Sequence, residues 1–215
     1  MTKRRFFIAP MMAVMLATGC ASQGGRILQG SGETIEQQRP IQDFTGVELG
    51  PGLTAEVLSG ESFAVVVRGD SRFLPYLDTR VEFGSLVVRM NDMVAVRPRT
   101  PLSVTVRLPH VDRLSVTGSQ VSLTGLSGDS MALRVMSGSQ VKAHGVRGKR
   151  LAMTVGERSQ VEIDGNVAEL RAEVTGASEV RARQLRAQSA KVAVAPGARL
   201  EMENVGKGGG GLALR

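Results

Sequence analysis

Three segments decide the fold: GSQVSLTG (118–125), GSQVKAHG (138–145) and RSQVEIDG (158–165). Ser119-Gln120-Val121 recurs as Ser139-Gln140-Val141 and Ser159-Gln160-Val161, each 20 residues after the last. Ser178-Glu179-Val180 follows after 19, and Ala198-Arg199-Leu200 after 20 more. Two places past the Val column stand Leu123, Ala143, Ile163, Ala182 and Met202, with polar Ser122, Lys142, Glu162, Arg181 and Glu201 between. That alternation is a strand read at period two. Gly125, Gly145, Gly165, Gln184 and Asn204 come next, mostly residue types that tolerate a turn. A further apolar column follows at Leu126, Val146, Val167, Leu185 and Val205. A second short strand precedes each Ser turn, beginning at Leu114, Leu133, Leu151, Leu170 and Ala190. Each repeat is therefore strand, turn, strand, turn.

This period excludes helical solenoids, whose repeats need roughly 33–47 residues. Leucine-rich repeats fit the length, but their Leu/Asn spacing is absent. The reading is an all-β parallel solenoid with coils of about 20 residues, stacked about 4.8 Å apart. In such a stack equivalent residues become neighbours. Lys142, Glu162, Arg181 and Glu201 then alternate in sign, at about 0.2–1 kcal/mol per adjacent pair. Gln120, Gln140, Gln160, Glu179 and Arg199 form an amide ladder ending in an acid and a base. The inward columns hold only Val, Leu, Ile, Met and Ala, so the interior is narrow. That suits a chain with no Trp and 3% aromatic residues.

Residues 39–108 are β-rich as well, and the expected domain spans 39–205. Strand-like runs lie at Thr54–Leu58, Phe63–Arg68, Ser85–Met90 and Leu102–Leu108. Phe73-Leu74-Pro75-Tyr76-Leu77 is the one candidate helical turn, limited by Pro75. The run Gln42-Asp43-Phe44-Thr45-Gly46-Val47-Glu48-Leu49 resembles the opening of the bacterial putative auto-transporter adhesin head GIN domain. Val65-Val66-Val67-Arg68-Gly69-Asp70 and Gly84-Ser85-Leu86-Val87-Val88 resemble later parts of it. The segment from Leu108-Pro109-His110 to Gly118-Ser119-Gln120-Val121 is similar to the start of that family's repeats. The resemblance implies a right-handed β-helix-like solenoid, often carried on lipoproteins or secreted proteins. The family's Gly-Ser-Gly-Asp turns are replaced here by Gly-Ser-Gln at 118–120 and 138–140, Glu-Arg-Ser-Gln at 157–160 and Gly-Ala-Ser-Glu at 176–179.

Residues 1–19 read as a signal peptide. Lys3, Arg4 and Arg5 precede a 12-residue uncharged stretch, Phe6–Ala17. A membrane-spanning helix needs about 20 apolar residues, whereas a signal-peptide core is shorter. Leu16-Ala17-Thr18-Gly19-Cys20 resembles a bacterial lipoprotein lipobox, although Ala17 stands where Leu is preferred. The resemblance implies lipidation of the single cysteine, Cys20. Ala21 after it implies the outer membrane. Residues 20–38 read as a flexible spacer and 206–215 as a glycine-rich tail. Three of the 27 basic residues lie in the first five positions, which leaves 24 against 20 acidic residues beyond them. That weak surplus and the scarcity of aromatics argue against a nucleic-acid partner.

Chemistry-bearing groups are sparse. His110 and His144 fall on different coils without a Cys partner, so no metal or other cofactor is expected. Ser119, Ser139 and Ser159 lack triad partners. Asp112, Asp129 and Asp164 fall at different places in their repeats, unlike a polysaccharide-cleaving acid cluster. Arg147-Gly148-Lys149-Arg150 reads as a solvated loop, with contact to anionic lipid or polysaccharide headgroups as the alternative. The expectation is a non-enzymatic envelope module. Ser119, Gln120, Ser139, Gln140, Ser159, Gln160, Ser178 and Glu179 would present a polar ridge to a glycan, a polymer or an envelope protein. The alternatives are a structural or sensing spacer without a ligand and, more distantly, a polysaccharide-active enzyme. An open solenoid end also permits a homo-oligomer.

Overall fold

Alternating side chains make strands, but a strand becomes a coil only when the next repeat pairs with it in register. A computed structural model describes residues 27–91, 95–97 and 101–205. The first half contains β1 (Ile27–Gln29), β2 (Thr34–Arg39), β3 (Gly46–Leu49), β4 (Leu53–Ser59), β5 (Ala64–Asp70), β6 (Leu77–Glu82), β7 (Ser85–Met90), β8 (Ala95–Arg97) and β9 (Leu102–Leu108). The second contains β10 (Arg113–Thr117), β11 (Gln120–Thr124), β12 (Ser127–Met136), β13 (Gln140–Val155), β14 (Gln160–Val174), β15 (Glu179–Val194), β16 (Arg199–Glu201) and β17 (Asn204–Val205). A 3-10 turn, Leu74–Tyr76, falls at the segment expected to be helical.

The expected parallel stack is present. Gln120, Gln140, Gln160, Glu179 and Arg199 are consecutive partners, as are Ser122, Lys142, Glu162, Arg181 and Glu201. One inward column runs Val104, Ala55, Val121, Val141, Val161, Val180, Leu200. On the opposite wall a second runs Val88, Leu49, Val116, Val135, Val155, Val174, Val194. Nearly all are fully buried, and only Val194 and Leu200 at the last coil are partly open.

Three expectations change. At one step the second strand is aligned two residues later than its leucines suggest: Leu133 pairs with Met153, not Leu151, whereas Leu114 with Leu133, Leu151 with Leu170 and Leu170 with Ala190 pair as expected. A two-residue slip preserves which face is buried, so the inward pattern survives. Arg147–Arg150 lies inside β13 and is not a loop. Thr34–Arg39, mostly assigned to the spacer, pairs antiparallel with β5. The spacer is therefore shorter than 20–38. The signal peptide, Cys20 and the tail at 206–215 lie outside the described residues.

The first half supplies two coils out of chain order. The sheet runs β2-β5-β9-β4-β11-β13 along one wall and β12-β10-β3-β7-β6 along the other. The β3–β4 coil thus sits between the β7–β9 and β10–β11 coils. Antiparallel β5 and β2 cover β9, and antiparallel β6 covers β7. This cap blunts the exposed edges that a parallel stack would otherwise leave at this end. Large rings are confined to this half: Phe44 packs on Phe63 with centroids 5.1 Å apart, and Phe73 is fully buried. No aromatic residue occurs after Phe83, where coils stack uniformly.

Gly165 shows how tight the stacking is. It adopts φ +133° opposite Val146, where a Cβ would stand 2.0 Å from the Val146 carbonyl oxygen. Val167, two places on, supplies the buried apolar side chain instead.

Asp70 clasps the chain as it enters the cap. Its carboxylate, buried with the rest of the residue, accepts from Ser31 Oγ (2.9 Å), the Gly32 amide (2.8 Å) and the Arg72 amide (3.0 Å). Burial pushes this carboxyl up, but the amides of Arg72, Gly32 and Ser31 and the Ser31 hydroxyl outweigh it and hold it down at about 2. A depressed native carboxyl stabilises the fold above its unfolded value near 3.8 and ceases to do so as pH falls toward 2. Asp70→Asn is accordingly expected to lower the melting temperature at pH 7. The gap to the wild type should close between pH 4 and pH 2 in thermal melts followed by circular dichroism.

Candidate functional site

The Ser-Gln corners and the strands that leave them form the most regular polar surface of the described chain. Two adjacent residue types diverge there. Ser119, Ser139, Ser159 and Ser178 are buried, at 4%, 0%, 0% and 2% exposure. The ridge expected from these serines is therefore absent, and they brace the corner from inside. Ser119 Oγ donates to the Gly50 carbonyl (2.6 Å) and accepts from the Leu53 amide (2.9 Å). Ser139 Oγ donates to the Met136 carbonyl. Ser159 Oγ donates to the Gly156 carbonyl (2.6 Å), and Ser178 Oγ accepts from the Ser159 amide (3.1 Å). Corner groups that strand pairing cannot reach are satisfied this way. The signal was present in the sequence. Val121 points in and Gln120 out, so continuing the alternation back through the corner turns Ser119 inward.

Gln120, Gln140 and Gln160 point outward and are exposed, and Glu179 is half-buried. Strand pairing sets the glutamines about 4.8 Å apart. No hydrogen bond joins their side-chain amides to one another among the described residues, so the expected amide ladder is a row of free donors and acceptors.

Beside this row, the columns of alternating charge pair in ways that register alone does not give. Lys142 lies 4.0 Å from Glu162. Arg181, however, binds Glu179 of its own strand at 2.9 Å, and Glu201 binds Arg183 at 3.0 Å. Arg183 reaches this position through an irregularity in the β14–β15 register between Glu162 and Asp164. At the matching irregularity in β13, His144 Nδ1 lies 2.6 Å from Asp164 Oδ2 and the Gly145 amide donates to Asp164 Oδ1 at 2.7 Å. Burial pushes the Asp164 carboxyl up, yet the Gly145 amide and the His144 ring together leave it below the usual carboxylate range.

These side chains line an open groove of about 540 Å³, with His144, Asp164, Arg181, Arg183 and Glu201 on its walls. All four groove acids, Glu162, Asp164, Glu179 and Glu201, have a basic group within 4.0 Å. The groove therefore offers many hydrogen-bonding groups with little net charge. His110 lies elsewhere, 3.5 Å from Ser127 Oγ, and Asp129 pairs with Lys149 at 2.8 Å. No group of three or more His, Cys, Asp or Glu able to hold a metal occurs among the described residues.

A family model described as "putative auto-transporter adhesin, head GIN domain" matches residues 43–207. Among solved structures, a putative adhesin of Bacteroides fragilis NCTC 9343 superposes with a TM-score of 0.70 at 16% identity, covering 83% of this chain and 97% of that one. A putative lipid binding protein of Parabacteroides distasonis ATCC 8503 gives 0.58 at 13% identity, covering 84% and 98%. A putative adhesin of Parabacteroides merdae ATCC 43184 gives 0.55 at 13%, covering 83% and 98%. At such identities the likeness is one of fold. No curated protein matches the chain.

Neighbouring residues at one corner should respond oppositely to truncation. Ser139→Ala strips a buried partner from backbone groups and should cost about 1–3 kcal/mol in urea unfolding. Gln140→Ala removes an exposed amide and should stay within about 0.5 kcal/mol of the wild type.

Proposed function

The chain belongs to the putative auto-transporter adhesin, head GIN domain family, and from that premise we propose that it is a non-enzymatic bacterial envelope lipoprotein. In this reading Cys20 carries the lipid and Ala21 directs the mature chain to the outer membrane. The glutamine row and its flanking groove bind a glycan, an envelope polymer or an envelope protein.

One observation carries the binding role. Gln120, Gln140 and Gln160 present unbonded amides in register on a rigid wall. A repeating polymer meets such a row with repeated, equivalent hydrogen bonds. The four acids of the groove are set against Arg181, Arg183 and Arg199, and these compensated charges favour a neutral or zwitterionic ligand over a polymer of one charge sign. The Cys20 reading is carried by the lipobox-like run, with acyl chains contributing about 0.8 kcal/mol per buried CH₂.

A second reading has its own support. The internally braced serine corners and continuous apolar columns suit a stiff spacer with no ligand at all. An array of envelope glycans and polymers separates the two. Under the binding reading, Gln120→Ala, Gln140→Ala and Gln160→Ala combined weaken binding roughly tenfold or more, from three neutral hydrogen bonds of about 0.5–1.5 kcal/mol each. Under the spacer reading no member of the array binds, and neighbours are recovered only by cross-linking in the envelope. For the anchor, Cys20→Ala should abolish labelling by a palmitate analogue; persistent labelling would sink that part.

A further inference from the structure

The large hydrophobic side chains exposed among the described residues are Tyr76 (38%), Val81 (39%) and Phe83 (99%). All three lie on β6 or immediately beside it, at the capped end of the solenoid. Phe83 and Gly84 form the tip of the β6–β7 hairpin, with φ of 48° and 74°. Such a two-residue turn needs positive φ at both places, and its first place usually holds Asn, Asp or Gly. A bulky aromatic residue is disfavoured in that conformation. Phe83 is 99% exposed, so packing within the chain does not compensate.

The strand that carries it is poorly suited to pairing with another chain. Asp78, Arg80 and Glu82 stud β6, and Arg80 binds both acids at 3.4 and 2.7 Å. Charges along an edge oppose strand addition, which leaves the apolar tip to meet a surface. The tether reaches the same end. β2 and β6 are the outermost strands of the two walls, and Ser31 and Gly32, just before β2, are held by Asp70. Cys20 precedes Ser31 by eleven residues, which span about 40 Å at most. A lipid on Cys20 thus ties the bilayer to the capped end, which is where the described chain begins to be held.

We propose that the β6–β7 hairpin tip is a membrane-contacting element, in which Phe83, with Val81 beside it, enters the headgroup region of the phospholipid bilayer that anchors the chain. Aromatic side chains suit that depth. The proposal rests on the Cys20 anchor proposed above.

The chain has no Trp, so Phe83→Trp introduces a single fluorescent reporter. Val81→Trp supplies a second, and Gln188→Trp on the exposed side of β15 serves as the far-end reference. Each full-length lipidated variant is reconstituted into phosphatidylethanolamine–phosphatidylglycerol vesicles, and its intact mass is measured on the same sample. Phe83→Trp and Val81→Trp are expected to emit to the blue of Gln188→Trp and to lose intensity when the lipids carry brominated acyl chains. The reference should not be quenched. Solvent-like emission from an acylated Phe83→Trp chain overturns tip insertion and leaves the anchor standing. Blue-shifted emission without bromine quenching also overturns it, because the tip is then covered by protein. A chain without acyl mass overturns the anchor and the proposal with it.

Discussion

The whole architecture depends on in-register parallel pairing between residues about one coil apart. Once Gln120 pairs with Gln140 and Gln140 with Gln160, every side chain on these rungs has its neighbours assigned. Apolar positions stack into columns such as Val116, Val135, Val155 and Val174, all fully buried. Polar positions stack into outward columns in the same way. Registry also leaves little room for adjustment. At Gly165 a β-carbon would collide with the backbone of the coil before it.

Corners are where this regularity must be broken, because the chain changes wall and backbone groups lose their strand partners. The buried serines solve that problem with one hydroxyl per corner. Their placement separates two roles that share one motif. Ser119, Ser139 and Ser159 hold the corner from inside, while Gln120, Gln140 and Gln160 meet solvent beside them. An exposed row built this way inherits its spacing from the core and does not need ordered loops.

The two ends of the solenoid differ physically. At one, antiparallel strands, buried Phe73 and Leu74 and the Asp70 clasp close the stack. At the other, Val192, Val194, Leu200 and Met202 are only partly covered. The chain therefore has a polarity: β2 and the exposed hairpin tip at the capped end, groove and glutamine row toward the later coils.

By itself the sequence determined the repeat period, the parallel stack, the inward columns and the glutamine row, because alternation and near-constant spacing are local properties that translate directly into facing. It also held, unread, the parity that turns the serines inward. Only the tertiary structure decided the rest. The β3–β4 coil is inserted between later ones because pairing between strands distant in the chain leaves no periodic trace. Thr34–Arg39 joins the sheet because β5 presents an open edge to it. Arg181 and Arg183 choose partners that register does not dictate, because long side chains reach across rungs and a register irregularity brings Arg183 to Glu201. The apolar β6 tip stands at the same end as β2 because pairing between strands distant in the chain sets which end of the stack each occupies.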